Sequence, residues 1–268
     1  MKFIWMIVIA VMIAGCAPSN LNRMNGPSEA YVDLKPYAFD GRFVAYESPK
    51  ALLLKINELG GAQKEFETNS EFSSRISGVG LSAVLSEVKD YQIKFDKNSG
   101  SLRFESSMED AQGFGFRPNG EPFSDFKSAY YSVGLPDVER VKGEFLGQNA
   151  FGATAKIDQV ESDRIYIVSP KIPKDSLRTM FVSMVSDLNI SASDFKLQKN
   201  DLRLAIIFEP VPNFVQVKSF YGSATISNKR ETTVNNYFLS AKLAGVSIVN
   251  IKTKQIVSSG FRVKFKAL

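Results

Sequence analysis

Apolar residues at helical spacing predict two short helices in the first half of the chain. The first helix follows Ser48-Pro49, because proline is favoured in the first helical turn, and it ends at Gly60-Gly61. Its apolar face comprises Leu52, Leu53, Ile56 and Leu59. The second helix is predicted from the capping residues 67–71, with apolar residues at helical spacing up to Ala83. Gly78 and Gly80 weaken its middle, and a break of the helix at these glycines is the alternative.

Alternation of apolar and polar residues predicts strands around and after these helices. A short β-like run covers residues 43–46, and the residues 91–95 and 102–104 form a hairpin about the turn at 97–100. The range 141–168 is a further β unit, with a turn or bulge near Gly147, Asn149 and Gly152 and another turn at Glu161-Ser162-Asp163.

The second half is predicted to contain one helix and then almost only β-structure. The helix follows Lys174-Asp175, with apolar residues 177, 181, 184, 185 and 188 at 3.6-residue spacing. Strands then cover 202–208, 214–226 as a strand pair or one long bent strand, and 237–251 with a bulge at Ala244-Gly245. The fold class is therefore α+β: two or three N-terminal and central helices with an antiparallel sheet, and a C-terminal third that forms a sheet or sandwich.

The N-terminal residues have the three parts of a secretory signal. Lys2 is followed by an uncharged apolar stretch over residues 3–14 and by the small residues before Cys16. A membrane-spanning helix needs about 20 apolar residues, and this run is shorter. Ile13, Ala14, Gly15 and Cys16 match the lipobox, so this segment resembles bacterial lipoproteins. An ordinary cleaved leader or an uncleaved anchor are the alternatives.

The resemblance implies that cleavage falls before Cys16 and that its sulfur and its new amine carry fatty acyl chains such as palmitate. Several acyl chains would hold the protein stably on a lipid bilayer. Because Ala17, not Asp, follows the cysteine, the resemblance favours the outer membrane, with the body facing the periplasm, if the source has two membranes. The predicted ranges are 1–15 for the signal peptide, 16–30 for a flexible tether, 31–135 for an α+β region and 136–268 for a β-rich region with one helix, possibly continuous with 31–135.

The charge of the chain adds one candidate surface. The formal net charge is +5, which favours either an anionic envelope polymer or headgroup as partner, or simply a solvated basic surface. Phe261, Val263 and Phe265 alternate with Arg262, Lys264 and Lys266, and the three basic residues form a possible basic edge. Positive residues on an outer strand also discourage edge-to-edge aggregation, which is the favoured reading.

A second candidate surface lies in residues 108–136, which lack a regular pattern and are rich in glycine, proline and aromatic residues. Long irregular segments are often functional, whereas aromatic side chains usually pack inward. The possible contact residues are Phe114, Phe116, Phe123, Phe126, Tyr130 and Tyr131.

The composition excludes several kinds of catalytic site. The chain has no histidine, so Ser-His-Asp triads, Cys-His pairs and zinc sites with histidine are impossible. Ser-x-x-Lys occurs at Ser86/Lys89, Ser124/Lys127 and Ser193/Lys196, about as often as chance predicts and without the companion motifs of penicillin-recognising enzymes. The carboxylate pairs Glu109/Asp110 and Glu161/Asp163 are the kind that glycosidases use, but adjacent acids in turns are usually solvated.

The sequence therefore favours a membrane-anchored envelope lipoprotein with a non-catalytic binding or scaffolding role. The expectation includes no enzyme activity, no cofactor, no metal and no nucleic acid, with the lipid bilayer as partner through Cys16 and an envelope protein as a possible further partner. A histidine-free hydrolase acting on a cell-wall or glycan substrate is the alternative. Convergent serine, lysine and carboxylate groups in a deep cleft would favour the enzyme, and exposed aromatic residues on a flat edge would favour the binding protein.

Overall fold

The computed structural model describes residues 29–34, 37–38, 41–119, 130–169, 179–225, 227–258 and 260–267. In these ranges the chain forms three short α-helices and thirteen β-strands. The helices are α1 (Pro49–Glu58), α2 (Asn69–Ile76) and α3 (Ala192–Gln198). The strands are β1 (Glu29–Leu34), β2 (Val44–Tyr46), β3 (Ser82–Glu87), β4 (Ile93–Phe95), β5 (Leu102–Asp110), β6 (Tyr131–Gly134), β7 (Val138–Gln148), β8 (Thr154–Val168), β9 (Thr179–Leu188), β10 (Leu202–Gly222), β11 (Arg230–Asn250), β12 (Gln255–Ile256) and β13 (Phe261–Ala267).

All these strands belong to one sheet. Its order is β1-β13-β9-β5-β6-β8-β11-β10-β3-β2, with β12 paired to β11, β4 to β5 and β7 to β8. Strands from the ranges 31–135 and 136–268 interleave in this order. The α+β class is confirmed in broad terms, but the sheet is mixed, not purely antiparallel, because β2 pairs β3 and β8 pairs β11 in parallel.

The two halves of the sheet share one hydrophobic core. Buried residues of β5, β9 and β13 belong to the same cluster as buried residues of β8, β10 and β11, and α1 and α2 contribute to it as well. Phe104 on β5 and Phe261 on β13 pack with their ring centroids 5.4 Å apart. Neither half of the sheet therefore buries its apolar face alone.

Local signals fix the position of α1, and the prediction of this helix is confirmed. The Ser48 side chain accepts a hydrogen bond from the Ala51 backbone N–H at 3.2 Å, and Pro49 occupies the first turn. Leu52, Leu53 and Ile56 are buried in the core, where α1 packs beside β2 and β3.

Helix α2 begins as predicted but is shorter. Thr68 and Glu71 form a capping box, in which each side chain binds the backbone N–H of the other residue. The helix ends at Ile76, and the backbone reaches a positive φ of 51° at Gly80. The break considered at Gly78 and Gly80 is therefore present, whereas Ala83 does not belong to the helix, because it lies in β3 and pairs with β10.

The predicted third helix is also wrong in its described part, because residues 179–188 form β9. This strand lies between β13 and β5, and Val182, Met184 and Ser186 are buried at the two-residue spacing of a strand. Lys174-Asp175 and Leu177 lie outside the described residues. The central helix of the structure is α3, which follows β9 and is capped by Ser191.

Several predicted turns and strands are confirmed. The pairing of β4 with β5 forms the expected hairpin. The strands predicted at 202–208 and 214–226 are not separate, because both belong to the single strand β10, which has a register shift between Pro210 and Val215. Ile207 pairs with Gly245 and Phe208 with Leu243, so Ala244 forms the predicted bulge in β11. Gly152 has a φ of 81° in the turn between β7 and β8. The turn predicted at Glu161-Ser162-Asp163 is wrong, because β8 runs through it without interruption and pairs with both β7 and β11.

Candidate binding cleft beside strand β5

The aromatic residues predicted as a contact surface lie partly inside the protein. Phe116 and Tyr130 are buried and pack against each other, with ring centroids 5.9 Å apart. They cannot supply a contact surface, so the prediction is wrong for these two residues, whose rings fill a small core beside β8 and β11. Phe114 is 38% exposed and stacks on Tyr166, and Tyr131 is half-buried. Phe123 and Phe126 lie outside the described residues.

The basic residues of β13 do not form an outer edge. This strand pairs with β1 on one side and with β9 on the other, so it is an interior strand. The register places Asp33 opposite Arg262, Tyr31 opposite Lys264 and Glu29 opposite Lys266. The prediction of a basic edge at Arg262, Lys264 and Lys266 is therefore wrong in its location, because strands far apart in sequence cover both sides of β13.

Other predicted residues have structural partners or lie elsewhere. Ser86 is buried, and Lys89 Nζ lies 2.6 Å from a Glu87 carboxylate oxygen. Glu161 accepts from Arg140, which lowers the pKa of Glu161 to about 2 and keeps this carboxyl ionised. Ser193 and Lys196 lie on α3. Ser124, Lys127 and the predicted lipidation site Cys16 lie outside the described residues, while β1 begins at Glu29, within the predicted tether.

An open cleft of about 800 Å³ lies along one side of β5, and we call it the β5 cleft. Residues that precede β4 border one end of it, and the segment 134–137 after β6 borders the other. The far wall comes from β3, β8 and Leu204 of β10. The charged residues on its walls are Glu87, Lys89, Lys94, Glu105, Glu109, Asp137 and Arg164.

The cleft exists because β5 has an open edge between β4 and β6. In a strand, successive residues direct their backbone N–H and C=O groups to opposite sides. Ser101, just before β5, accepts from the Asp96 N–H, and Ala111, just after β5, donates to the Tyr130 carbonyl. Odd-numbered residues of β5 thus direct their backbone N–H and C=O groups toward β4 and β6. Even-numbered residues direct theirs toward β9, with which residues 102–108 pair in unbroken register.

Two residues of β5 consequently direct their backbone groups into the cleft. The strand β4 pairs only with residues 102–104, and β6 pairs only with residues 109 and 110. In the described part of the chain, no strand pairs with Glu105 or Ser107 on this side. In this phase the pairing of Ile93 with Phe104 directs the Glu105 N–H at the Gln92 carbonyl. The Glu105 C=O and both backbone groups of Ser107 thus form a short edge that no described strand pairs.

A side chain at one end of this edge and strand pairing at the other lead β4 and β6 away from β5. The Gln92 side chain donates to the Ser106 hydroxyl at 3.0 Å, and its own carbonyl accepts from the Lys89 N–H at 2.9 Å. At the other end, Val133 and Gly134 pair with β8 instead of following β5. Both neighbouring strands therefore leave β5 at defined residues.

Glu109 is the least compensated charged group in the cleft. Its Oε2 atom is buried without a hydrogen-bond partner, and a Cβ atom on Gly134 would lie 3.5 Å from it. Burial raises the pKa of Glu109, the positive charge of Arg164 opposes this shift, and the negative charge of Asp137 adds to it. A carboxyl group in this state binds a hydrogen-bond donor or a cation readily.

The neighbouring wall is held rigidly. Arg164 Nε donates to an Asp137 carboxylate oxygen at 2.9 Å. The guanidinium whose positive charge acts on Glu109 is therefore already paired with Asp137. Tyr166 stacks between Phe114 and Phe238, with centroid distances of 5.6 and 5.3 Å, and burial raises its pKa. This wall presents a fixed aromatic and polar surface to the cleft.

The sequence singled out Glu109 only as half of an adjacent acid pair. The structure places Asp110 on the opposite side of the strand, so the two carboxylates do not share the cleft wall. The available signal was the polar alternation of Arg103, Glu105, Ser107 and Glu109, which marks a solvent-facing side of β5. The position of the open edge depends on where β4 and β6 end, and no local pattern encodes that.

Two further observations limit the kinds of site. Among the described residues, no group of three or more Asp, Glu or Cys side chains is placed to hold a metal ion. No helix in those same ranges combines the length and the apolar character that crossing a membrane requires.

Comparisons with protein-family models, with curated proteins and with solved structures gave no match to this chain.

Proposed function

We propose that this protein is a lipid-anchored lipoprotein of the bacterial cell envelope, tethered through acylated Cys16, whose body binds a partner in the β5 cleft without catalysing a reaction. The lipobox residues 13–16 and the short apolar run before them support the anchor. If the source has two membranes, Ala17 favours the outer membrane and a body that faces the periplasm.

The unpaired edge of β5 is the observation that carries the binding role. Buried or cleft-facing backbone groups cost free energy unless they find partners, and proteins usually cover such edges. Here Glu105 and Ser107 present this edge inside a cleft of about 800 Å³ that is rimmed by polar side chains. A partner that supplies hydrogen bonds would therefore gain affinity at this position.

Site-specific photocrosslinking in the intact envelope tests this role. A benzophenone amino acid replaces Tyr91, which is 75% exposed on the cleft rim, and in a matched control it replaces Phe66, which is 92% exposed in the loop before α2 and lies outside the cleft lining. A discrete adduct at position 91 that is absent at position 66 is expected. Equal labelling at both positions, or no adduct at position 91, would argue against a partner in the cleft.

One observation favours a second function, hydrolysis of a cell-wall or glycan substrate. Glu109, with its raised pKa, and Asp137, which Arg164 holds in place, line the same cleft, and glycosidases pair a protonated and an ionised carboxyl. Incubation of the protein with purified cell-wall sacculi tests it. Release of soluble fragments that Glu109→Gln and Asp137→Asn each abolish would establish the hydrolase, and unchanged sacculi would exclude it for this substrate.

A further inference from the structure

We propose that the partner in the β5 cleft is an extended peptide segment that pairs with β5 as an added strand and places a lysine or arginine side chain between Glu105 and Glu109. This inference rests on the proposed binding function and names its partner class. It follows from three features of the cleft: the backbone edge, the charges on one face of β5, and the length of the gap.

The backbone edge matches a peptide because it offers donors and acceptors in alternation. Ser107 directs one N–H and one C=O into the gap and Glu105 directs its C=O there, as the flanking bonds of Ser101 and Ala111 and the pairing of Ile93 with Phe104 establish. An extended peptide satisfies both kinds of group at strand spacing, which is how peptides add to open sheet edges. A sugar or a lipid headgroup has no comparable repeat of donors and acceptors.

The length of the gap limits the paired segment. Four residues of β5, Glu105 to Met108, lie between the residues that pair with β4 and those that pair with β6. At about 3.3 Å per residue the gap spans about 13 Å. The partner therefore pairs over about four residues and bends away at both ends, where Gln92 and Gly134 lead the neighbouring strands out of the way.

The charges select a basic residue at one position. Glu105, Ser107 and Glu109 share one face of β5, and neither glutamate has an ion-pair partner among the described residues. The other cleft acids are neutralised, Glu87 by Lys89 and Asp137 by Arg164. A basic side chain opposite Ser107 would have a carboxylate at each diagonal position of the sheet, within reach of a long side chain.

Selection from a displayed library of random decapeptides on the full-length protein in detergent micelles tests the inference. We expect enrichment of peptides with a lysine or arginine inside an alternating apolar and β-branched segment. Glu109→Gln should weaken the binding of an enriched peptide by about tenfold, because a charge-assisted hydrogen bond contributes about 1.4 kcal/mol or more.

Ser107→Pro is the decisive variant, because proline removes the N–H group that points into the cleft and leaves the bonds to β9 in place. It should abolish enrichment while the thermal unfolding curve stays close to that of the wild type. If this variant does not fold, N-methylation of alternate amides in one enriched peptide replaces it. One set of methylated positions should then abolish binding and the other set should not.

The outcomes separate this inference from the proposed function. The peptide inference is overturned if no peptide is enriched above the empty support. It is also overturned if the enriched peptides bind Ser107→Pro as well as the wild type, or if they tolerate both sets of N-methylation. A glycan or lipid adduct at position 91 in the envelope experiment would keep the binding function and overturn the peptide. Absence of that adduct together with absence of enriched peptides would overturn both.

Discussion

Arg75 holds Glu67 through two hydrogen bonds, from Nε to Oε1 and from Nη2 to Oε2, each 2.7 Å long. The same guanidinium donates to the backbone carbonyls of Leu59, Gly61 and Ala62 after α1, and it lies over the Phe72 ring. One side chain of α2 thus satisfies three carbonyl groups of the turn that follows α1.

Replacement of Arg75 should therefore destabilise the fold even though it is remote from the cleft. Arg75→Met leaves several carbonyls and the Glu67 carboxylate without their donor, and we expect a loss of about 2 kcal/mol in the free energy of unfolding. Lys55→Met, which removes the exposed pair with Glu58 on α1, is the control and should cost less than about 0.5 kcal/mol. Urea unfolding measures both. Similar losses in the two variants would contradict the role of Arg75.

The lowered pKa values of Glu67 and Glu161 predict that acid destabilises the fold. Arg75 lowers the pKa of Glu67 to about 2, and Arg140 together with Lys142 lowers the pKa of Glu161 to about 2, from an ordinary value of 4.5. Because the folded-state pKa values are lowered, this stabilisation is complete above pH 4.5 and is lost as the pH falls toward 2. Urea midpoints at pH 6, 4 and 3 should decrease in that order. Glu67→Gln should reduce the decrease, and a midpoint independent of pH would contradict the assignment.

An ion pair between a partly exposed arginine and a buried aspartate stabilises the β7, β8 and β11 region. The Asp163 side chain is fully buried, one oxygen lies 2.7 Å from Arg140 Nη2, and the other accepts from Asn235 at 2.9 Å. Arg140→Met should cost about 2 kcal/mol, because it leaves a buried carboxylate without its counter-charge. Arg103→Met removes the exposed contact with Asp187 and should cost less than about 1 kcal/mol. Chemical denaturation measures the free energy of unfolding of both variants. Equal losses in the two variants would contradict a special role for the buried Asp163 carboxylate.

Adjacent proline substitutions in β5 report directly on its open edge. Ser106 is even-numbered and directs its N–H toward β9, whereas Ser107 directs its N–H into the cleft. Ser106→Pro should therefore unfold the protein or lower its melting temperature strongly, and Ser107→Pro should change it little. Circular dichroism melting curves of the two purified variants provide the comparison. A reversed order of stability would mean that the edge faces the other way.

Elements with local signals could be predicted from the sequence. Ser48 and Pro49 fix the start of α1 through the cap and the first turn, and the Ala244-Gly245 pair identifies the bulge in β11. These signals act between residues near one another in the chain. The broad α+β class followed from the same kind of pattern.

Elements that depend on distant partners could not be predicted. The apolar residues of β9 fit helical spacing as well as alternation, and only the neighbours β5 and β13 favour the strand. The alternation of residues in β13 is a local pattern, but the position of this strand between β1 and β9 is a property of the whole sheet. The β5 cleft could not be predicted for the same reason, because it exists only where β4 and β6 end.

The anchor at Cys16 is the claim on which the envelope role depends, and the intact mass of the protein extracted from washed membranes of its source tests it most directly. The mature chain should begin at Cys16 and exceed the mass of its bare polypeptide by the acyl groups, while the body of Cys16→Ser should stay folded and appear in the soluble fraction. A chain that begins at another residue, or that has only its polypeptide mass, would contradict the lipoprotein assignment.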